Sequence, residues 1–176
     1  MSPTLETPRL WLRPYRIADF DAYAAIFGQE AVMRFIGGKP LSREVCWTRF
    51  VRQIGMWSTL GFGFFALEFK ATGAVIGEAG FHDLKRELSP TTEGTLEAGW
   101  GLTAAMHGAG LAEEAMRAAL AWAAVEKPEM RTTCIIHPGN APSLRLAAKL
   151  DFVEFARAAY HESPVVVMER GRGTQG

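Results

Sequence analysis

The alternation of apolar and polar positions divides the chain into short strands and longer amphipathic segments. Leu10-Trp11-Leu12-Arg13-Pro14 alternates with a period of two and predicts a first strand. Asp19 stands where it can cap a helix, and Phe20, Tyr23, Ala24 and Phe27 then recur at helical spacing. Ser42 heads a second predicted helix with Val45, Phe50, Ile54 and Trp57 as its inner face, although the Glu or Gln of a full capping box is missing. The aromatic run over 64–69 predicts a strand, Ala71-Thr72-Gly73 a hairpin turn, and 74–81 its partner. A polar loop over 85–93 leads to a strand over 95–102 and a helix from about 110 to 126, stopped by Pro128. A β-rich run over 131–136 follows, then a helix over 141–150 capped by Asn140, and closing strands over 152–156 and 165–169. The pattern contains no repeat and no linker. It predicts a single mixed α/β (α+β) domain over residues 1–176, in which helices cover both faces of a largely antiparallel sheet. Its core spans about 5–170, and residues 171–176 form a frayed, disordered tail.

Composition narrows the function. The 19 basic and 19 acidic side chains balance, so no net field draws the chain to nucleic acid or to an anionic membrane. Nowhere do about eighteen apolar residues run together, as a membrane-spanning helix requires, and residues 1–9 lack the apolar centre of a signal peptide. Cys46 and Cys134 lie far apart and fit no metal-ligand spacing, so no metal is expected. Cys134 sits in the apolar run Cys134-Ile135-Ile136, as a buried thiol would, and unpaired cysteines fit a reducing cytoplasm.

The richest stretch is Thr95-Leu96-Glu97-Ala98-Gly99-Trp100-Gly101-Leu102-Thr103-Ala104-Ala105-Met106-His107-Gly108-Ala109-Gly110-Leu111-Ala112-Glu113-Glu114-Ala115. It predicts a strand, a tight turn with two glycines, and the opening of an alanine-rich helix. Such a turn leaves unpaired N–H groups at a helix N-terminus with little side-chain bulk before them, which is a phosphate site. A P-loop is excluded, because no Lys-Ser or Lys-Thr pair occurs in the chain. A dinucleotide fingerprint would place a small residue at Glu113 and would need a preceding βαβ unit.

A third kind of phosphate turn remains. His107-Gly108-Ala109-Gly110-Leu111-Ala112 resembles the Gln/Arg-x-x-Gly-x-Gly/Ala signature of acyl-CoA-dependent N-acetyltransferases of the GNAT superfamily, with His107 in place of Gln or Arg. The run from Asn140 through Ser143 to Asp151-Phe152 resembles that family's second motif, Asn-x-x-Ser followed by a helix and Gly-Phe, with Asp151 replacing the glycine. Asp tolerates a left-handed conformation, so the helix stop survives the change. Leu5-Glu6-Thr7-Pro8-Arg9-Leu10-Trp11-Leu12-Arg13-Pro14 looks like the opening of the ribosomal-protein N-terminal acetyltransferase branch. Together these stretches extend the resemblance over about residues 5–170.

The resemblance implies the GNAT fold, with a splayed pair of central strands receiving the pantetheine arm of acetyl-CoA. The backbone near Gly101, Leu102 and Thr103 would pair with that arm. Amides of the turn His107, Gly108, Ala109, Gly110, Leu111 and Ala112 would hold the diphosphate, and Asn140 would bond the pantetheine. Ser143, three residues after Asn140 and on the same side of the helix start, would lie near the sulfur as proton donor, with Tyr160 as the alternative acid.

The implied reaction moves an acetyl group to a primary amine, either a protein N-terminal α-amine or a small amine, by direct attack in a ternary complex. An α-amine, with a reference pKa of about 8, is partly neutral near pH 7, whereas a lysine amine, at about 10.4, is not. A modest base therefore suffices. Glu97 is the candidate, because strand alternation puts it on the side of Gly99 and Gly101; Glu78 and His82 stand in reserve. Each of these residues also has an ordinary structural role open to it: a strand glutamate in an ion pair, a turn histidine, a helix-capping asparagine. Trp47 and Trp57 are candidates for the substrate mouth, and loops over 33–41 and 82–94 for the acceptor pocket. A non-catalytic acyl-CoA-binding module of the same fold is the rival reading, and a homodimer is common in this branch.

Overall fold

The computed structural model describes residues 3–171. The tail expected to fray therefore lies, from residue 172 onward, outside the described residues. In chain order the elements are β1 (Leu5–Glu6), β2 (Leu10–Arg13), α1 (Phe20–Phe27), α2 (Glu30–Met33), α3 (Arg43–Leu60), β3 (Phe64–Phe69), β4 (Ala74–His82) and β5 (Leu96–Leu102). They continue with α4 (Leu111–Glu126), β6 (Thr132–Ile136), α5 (Ala141–Lys149), β7 (Phe152–Tyr160) and β8 (Ser163–Arg170). Among the described residues no helix is long and apolar enough to cross a membrane.

The strands form one sheet in the order β1-β2-β3-β4-β5-β6-β8-β7. Every neighbouring pair is antiparallel except β5 and β6, which are parallel and register only at Leu96 with Thr132 and Glu97 with Thr133. Beyond Glu97 the two strands part, giving the expected splayed pair at the centre of the sheet.

Side-chain parity sends the two faces of the strands to two cores. On one face, Leu12, Phe65, Leu67, Phe81 and Leu102 pack with Leu111, Ala115, Met116 and Ala119 of α4 and Ala147 of α5. On the other, Ala66 packs with Tyr23 and Phe27 of α1 and Cys46 and Phe50 of α3. Tyr23, Phe27, Phe50, Phe65 and Phe81 are wholly buried, each worth about 1.5–3 kcal/mol of transfer free energy.

Several local expectations are corrected. Asp19 does not cap α1; its carboxylate forks onto Arg13 at 2.8 and 2.9 Å and accepts from the Arg16 amide at 2.7 Å. A buried guanidinium takes precedence over a helix amide that the preceding turn already supplies with a partner. Ser42 caps α3 through the Val45 amide at 3.3 Å, but Val45 itself is half exposed and the buried stripe is Cys46, Phe50, Gln53, Met56 and Trp57. β7 and β8 are longer than predicted because their two-residue turn, His161 and Glu162 at φ 48° and 63°, contains neither Gly nor Asn to announce it. Asp151 does adopt the left-handed conformation, at φ 65°.

Candidate active site

The strand–turn–helix unit builds as its residues require. Gly108 and Gly110 both sit at φ 77°, a region costly to side-chain-bearing residues. A Cβ at Gly108 would meet nothing within 4 Å, so what demands glycine there is backbone conformation rather than crowding. The turn opens on six consecutive amides, Gly108 to Glu113, that find no acceptor among the described residues; only at Glu114 does the helical ladder begin, with a bond to the Gly110 carbonyl. The His107 side chain folds back and donates from Nε2 to the Leu102 carbonyl at 2.8 Å, so it fixes the end of β5 instead of reaching outward.

Negative charge in the first turn of α4 is neutralised locally. Glu114 accepts from Thr7 Oγ1 at 2.7 Å, the Arg9 amide at 2.8 Å and Arg9 Nε at 2.7 Å, and Arg9 Nη1 also donates to the Ala109 carbonyl at 2.9 Å. Glu113 pairs with Arg117 and Lys149. The N-terminal stretch that carries the family opening thus straps the turn from below. Arg9 escaped notice in the sequence because its partner lies more than a hundred residues away.

On β5 the backbone obeys a period of two. The Leu96 amide donates toward β6, to the Arg131 carbonyl, and the Thr103 amide donates toward β4, to the Ile76 carbonyl, both at 2.8 Å. Ala98, Trp100 and Leu102 therefore face the open edge, whereas Gly101 and Thr103 face β4. The expectation that Gly101 and Thr103 pair with a pantetheine arm is corrected accordingly, because their backbone groups are turned to the neighbouring strand. The Thr103 hydroxyl, moreover, is bonded by Gln29 at 3.0 Å. Leu102 keeps its N–H toward the cleft, beside the edge-facing backbone of Ala98 and Trp100.

Above the split lies a cavity of about 530 Å³. Its floor follows the β4–β5 register: His82 opposite Glu97, Gly80 opposite Gly99, Glu78 opposite Gly101. The Phe64 ring covers the central pair so closely that a Cβ on Gly99 would lie 2.7 Å from it. Glu97, Asn140, Ser143, Tyr160, Glu78 and His82 all line this one cavity, so residues spread over 82 positions of the sequence converge. The loops over 33–41 and 82–94 contribute Arg34 through Gly38 and Arg86. Trp47 and Trp57 do not line it: Trp47 packs on Phe20, and Trp57 is buried against Phe65 and Trp122.

Glu97 is not a free carboxylate. Oε1 receives His82 Nε2 at 2.7 Å and Arg86 Nε at 2.9 Å, while Oε2 receives Arg86 at 3.1 Å and Thr92 Oγ1 at 3.0 Å. Burial works against its charge, but the hydrogen bond and charge of His82 and the Arg86 guanidinium outweigh it and hold the carboxyl below its ordinary value of 4.5. An anionic acceptor at 2.7 Å requires the proton on His82 Nε2, so in the neutral ring Nδ1 carries the lone pair. Nδ1 has no hydrogen-bond partner among the described residues. The 3.4 Å contact from Arg86 Nη2 to Nε2 is a donor facing a donor and yields to the shorter bond. Glu78 is likewise engaged, by Arg49 at 2.7 Å, Tyr15 at 3.2 Å and Gln53 at 3.3 Å.

Across the split, Asn140 Oδ1 caps α5 by accepting from the Ser143 amide at 3.3 Å, which leaves its NH₂ free. Ser143 Oγ accepts from Trp100 Nε1 at 3.2 Å. Indole N–H is a donor only, so the serine's own O–H remains to be given elsewhere. Tyr160 lies under the Arg86 guanidinium, 4.7 Å from its ring centre. Arg86, Thr92 and Trp100 were invisible as site residues because only the sheet register and loop closure bring them in. Cys134 is buried, and burial, aided by the nearby Glu97 charge, pushes its thiol up and disfavours the thiolate.

A long, narrow thioester arm joined to a diphosphate fits this arrangement: open amides at the turn, a strand edge with unpaired groups, then polar side chains around a cavity. The known proteins agree. A family model for the acetyltransferase (GNAT) domain matches residues 9–153. A GNAT-family acetyltransferase from Bordetella pertussis is 34% identical with TM-score 0.85, covering 96% of this chain and 99% of its own. An acetyltransferase from Agrobacterium tumefaciens is 27% identical with TM-score 0.82, covering 96% and 94%. The ribosomal L7/L12 alpha-N-protein acetyltransferase RimL, solved in complex with coenzyme A, shares the fold at 13% identity and TM-score 0.77, covering 96% and 97%. The chain belongs to the GNAT acetyltransferase family.

Proposed function

We propose that this protein transfers the acetyl group of acetyl-CoA to a primary amine, a protein N-terminal α-amine or a small amine, by direct attack in a ternary complex. The observation that carries this reading is the convergence of His82–Glu97 and Asn140–Ser143 on one cavity at the strand split, together with the open amides of residues 108–113 in the turn that follows β5. Acetyl-CoA, when bound, supplies an activated acyl carbon. The turn amides and the N-terminal dipole of α4 hold its diphosphate, and the backbone of Ala98, Trp100 and Leu102 and the Asn140 NH₂ align the arm.

His82 Nδ1 accepts the proton that the amine nitrogen loses as its bond to the acetyl carbon forms. Glu97 keeps the imidazole in the tautomer that exposes this lone pair and stabilises the ring once charged. The carboxylate thus acts through His82, with its own oxygens saturated. Ser143 gives its proton to the sulfur as the carbon–sulfur bond breaks, oriented by the Trp100 N–H, and regains one from solvent. A positioned base contributes about 100- to 10,000-fold. The family opening over Thr7–Pro14, whose Thr7 and Arg9 tie β1 and β2 to the phosphate turn, favours the N-terminal acetyltransferase branch.

The test is release of free CoA from acetyl-CoA across peptides, polyamines and aminoglycosides, with product masses. Turnover with at least one amine is expected. Tight CoA binding with no turnover on any amine would instead establish the non-catalytic module.

A further inference from the structure

The chemistry of the acceptor is written in which hydrogen-bonding groups of the cavity are already used. This inference rests on the acetyl-transfer reading above. Two carboxylates and three guanidiniums, Glu78 and Glu97 against Arg34, Arg49 and Arg86, line the cavity. The carboxylates are spent: each oxygen of Glu78 and Glu97 accepts two hydrogen bonds from the protein, and the side chains are only 1% and 3% exposed. A polyamine or aminoglycoside entering here finds no carboxylate lone pair to bind its additional ammonium groups.

The guanidiniums are not spent. Arg49 reaches Glu78 through Nη2 alone, its body lying 4.4 Å from the Phe27 ring centre, and its Nε and Nη1 have no acceptor among the described residues. Arg86 uses Nε and Nη2 on Glu97, and its Nη1 has no acceptor among the described residues. Arg34, exposed on the loop over the cavity, rests 5.3 Å from the Phe35 ring centre, and none of its N–H groups has an acceptor among the described residues. The charged groups that the cavity leaves open to an incoming molecule are cationic N–H. Planar guanidinium donors of this kind match carboxylate and phosphate oxygens.

We propose that the acceptor is a primary amine that also carries an anionic group, a carboxylate or a phosphate, which docks on Arg34 and Arg49 while the amine meets His82. The floor sets the spacing. Arg49 is anchored at Glu78, and the base, His82, stands four strand residues further along β4, which puts about 13 Å between the Cα atoms of Glu78 and His82. The α-carboxylate of a free amino acid, two bonds from its amine, does not span that interval. An acidic side chain in the first residues of a peptide does, and so does a long ω-amino carboxylate or phosphate.

The experiment compares kcat/KM for matched pairs: peptides with Glu at position two or three against Gln, a long ω-amino carboxylate against its amide, and spermidine alone. The anionic member of a pair is expected to lead by about tenfold or more, as one charge-assisted contact provides. Whichever pair shows the lead distinguishes a peptide from a small molecule. Arg34→Glu, at an exposed position whose side-chain N–H groups have no acceptor among the described residues, is expected to erase or invert that lead. Equal rates within every pair, preference for spermidine, or an Arg34→Glu protein with unchanged selectivity would overturn the proposal. Absence of acetylation for every amine would overturn the acetyl-transfer reading itself, an outcome separable from the loss of selectivity alone.

Discussion

Replacing Glu97 by Gln separates a carboxylate that takes the proton from one that acts through His82. The amide is nearly isosteric, so packing survives, but it removes a charge held by His82, Arg86 and Thr92 at side-chain exposures of 13%, 14% and, for Glu97 itself, 3%. Leaving a buried guanidinium without its counter-charge costs about 3 kcal/mol, at the lower end for broken buried pairs because the amide oxygen still accepts. The stability deficit must depend on pH in one direction. Because the folded carboxyl titrates below its ordinary 4.5, its stabilisation is complete above that value and is lost as the pH falls through the folded pKa. The difference in melting temperature between the two proteins should therefore narrow as the pH falls below 4.5.

On the rate, Glu97→Gln frees the ring to adopt the unproductive tautomer, and kcat is expected to fall about 100-fold or more. Initial rates against pH, with two acceptors of different amine pKa, assign the limbs: the one that moves belongs to the acceptor and the one that stays belongs to the enzyme. A stationary limb below pH 4.5 that disappears in Glu97→Gln would make Glu97 itself the base. A rate unchanged by either Glu97→Gln or His82→Gln would refute the dyad altogether.

Other perturbations give outcomes as definite. Ser143→Ala should lower kcat about tenfold or more while leaving CoA affinity by calorimetry as it was, and Trp100→Phe should lower kcat less, because it only releases the serine's orientation. Gly108→Ala and Gly110→Ala should each cost about 1–2 kcal/mol in denaturant titrations through the left-handed backbone, and should weaken CoA while sparing pantetheine, which lacks the diphosphate. Asp19→Asn should cost about 1.5–3 kcal/mol, because Arg13 loses its buried two-pronged carboxylate while keeping Glu68 at 2.6 Å as a remaining counter-charge. Burial raises the Asp19 carboxyl, but the hydrogen bonds and charges of Arg13 and Arg16 together outweigh it and hold it below the ordinary 3.8, so this contribution too is present at neutral pH and is lost as the pH falls through the folded pKa.

What could be read in the sequence was whatever repeats locally or obeys a turn rule. The strands around the central hairpin, the helix after Gly110, the cap at Asn140 and the left-handed Asp151 follow from periodicity and backbone preference within a few residues. The two-residue β1 and the four-residue α2 were missed because such short elements carry no period, and α2 is held by packing of Val32 and Met33 against α1 and α3. Within the site, residue types and chain positions were legible for Glu97, His82, Asn140 and Ser143, but their states were not. That Glu97 is saturated, that His82 presents Nδ1, and that Trp100 orients Ser143 all depend on loop 83–95 and on the register His82–Glu97, which only folding sets. The same holds for Gly101 and Thr103, whose strand was foreseen while the direction of their amides was not.

Crystallising the protein with CoA tests the cofactor placement most directly. Diphosphate oxygens within hydrogen-bonding distance of the amides of residues 108–113, and the arm lying along Ala98, Trp100 and Leu102 in the split between β5 and β6, are the expected result. Coenzyme bound elsewhere, with that turn bare and the split strands empty, would contradict both the cofactor site and the reaction built upon it.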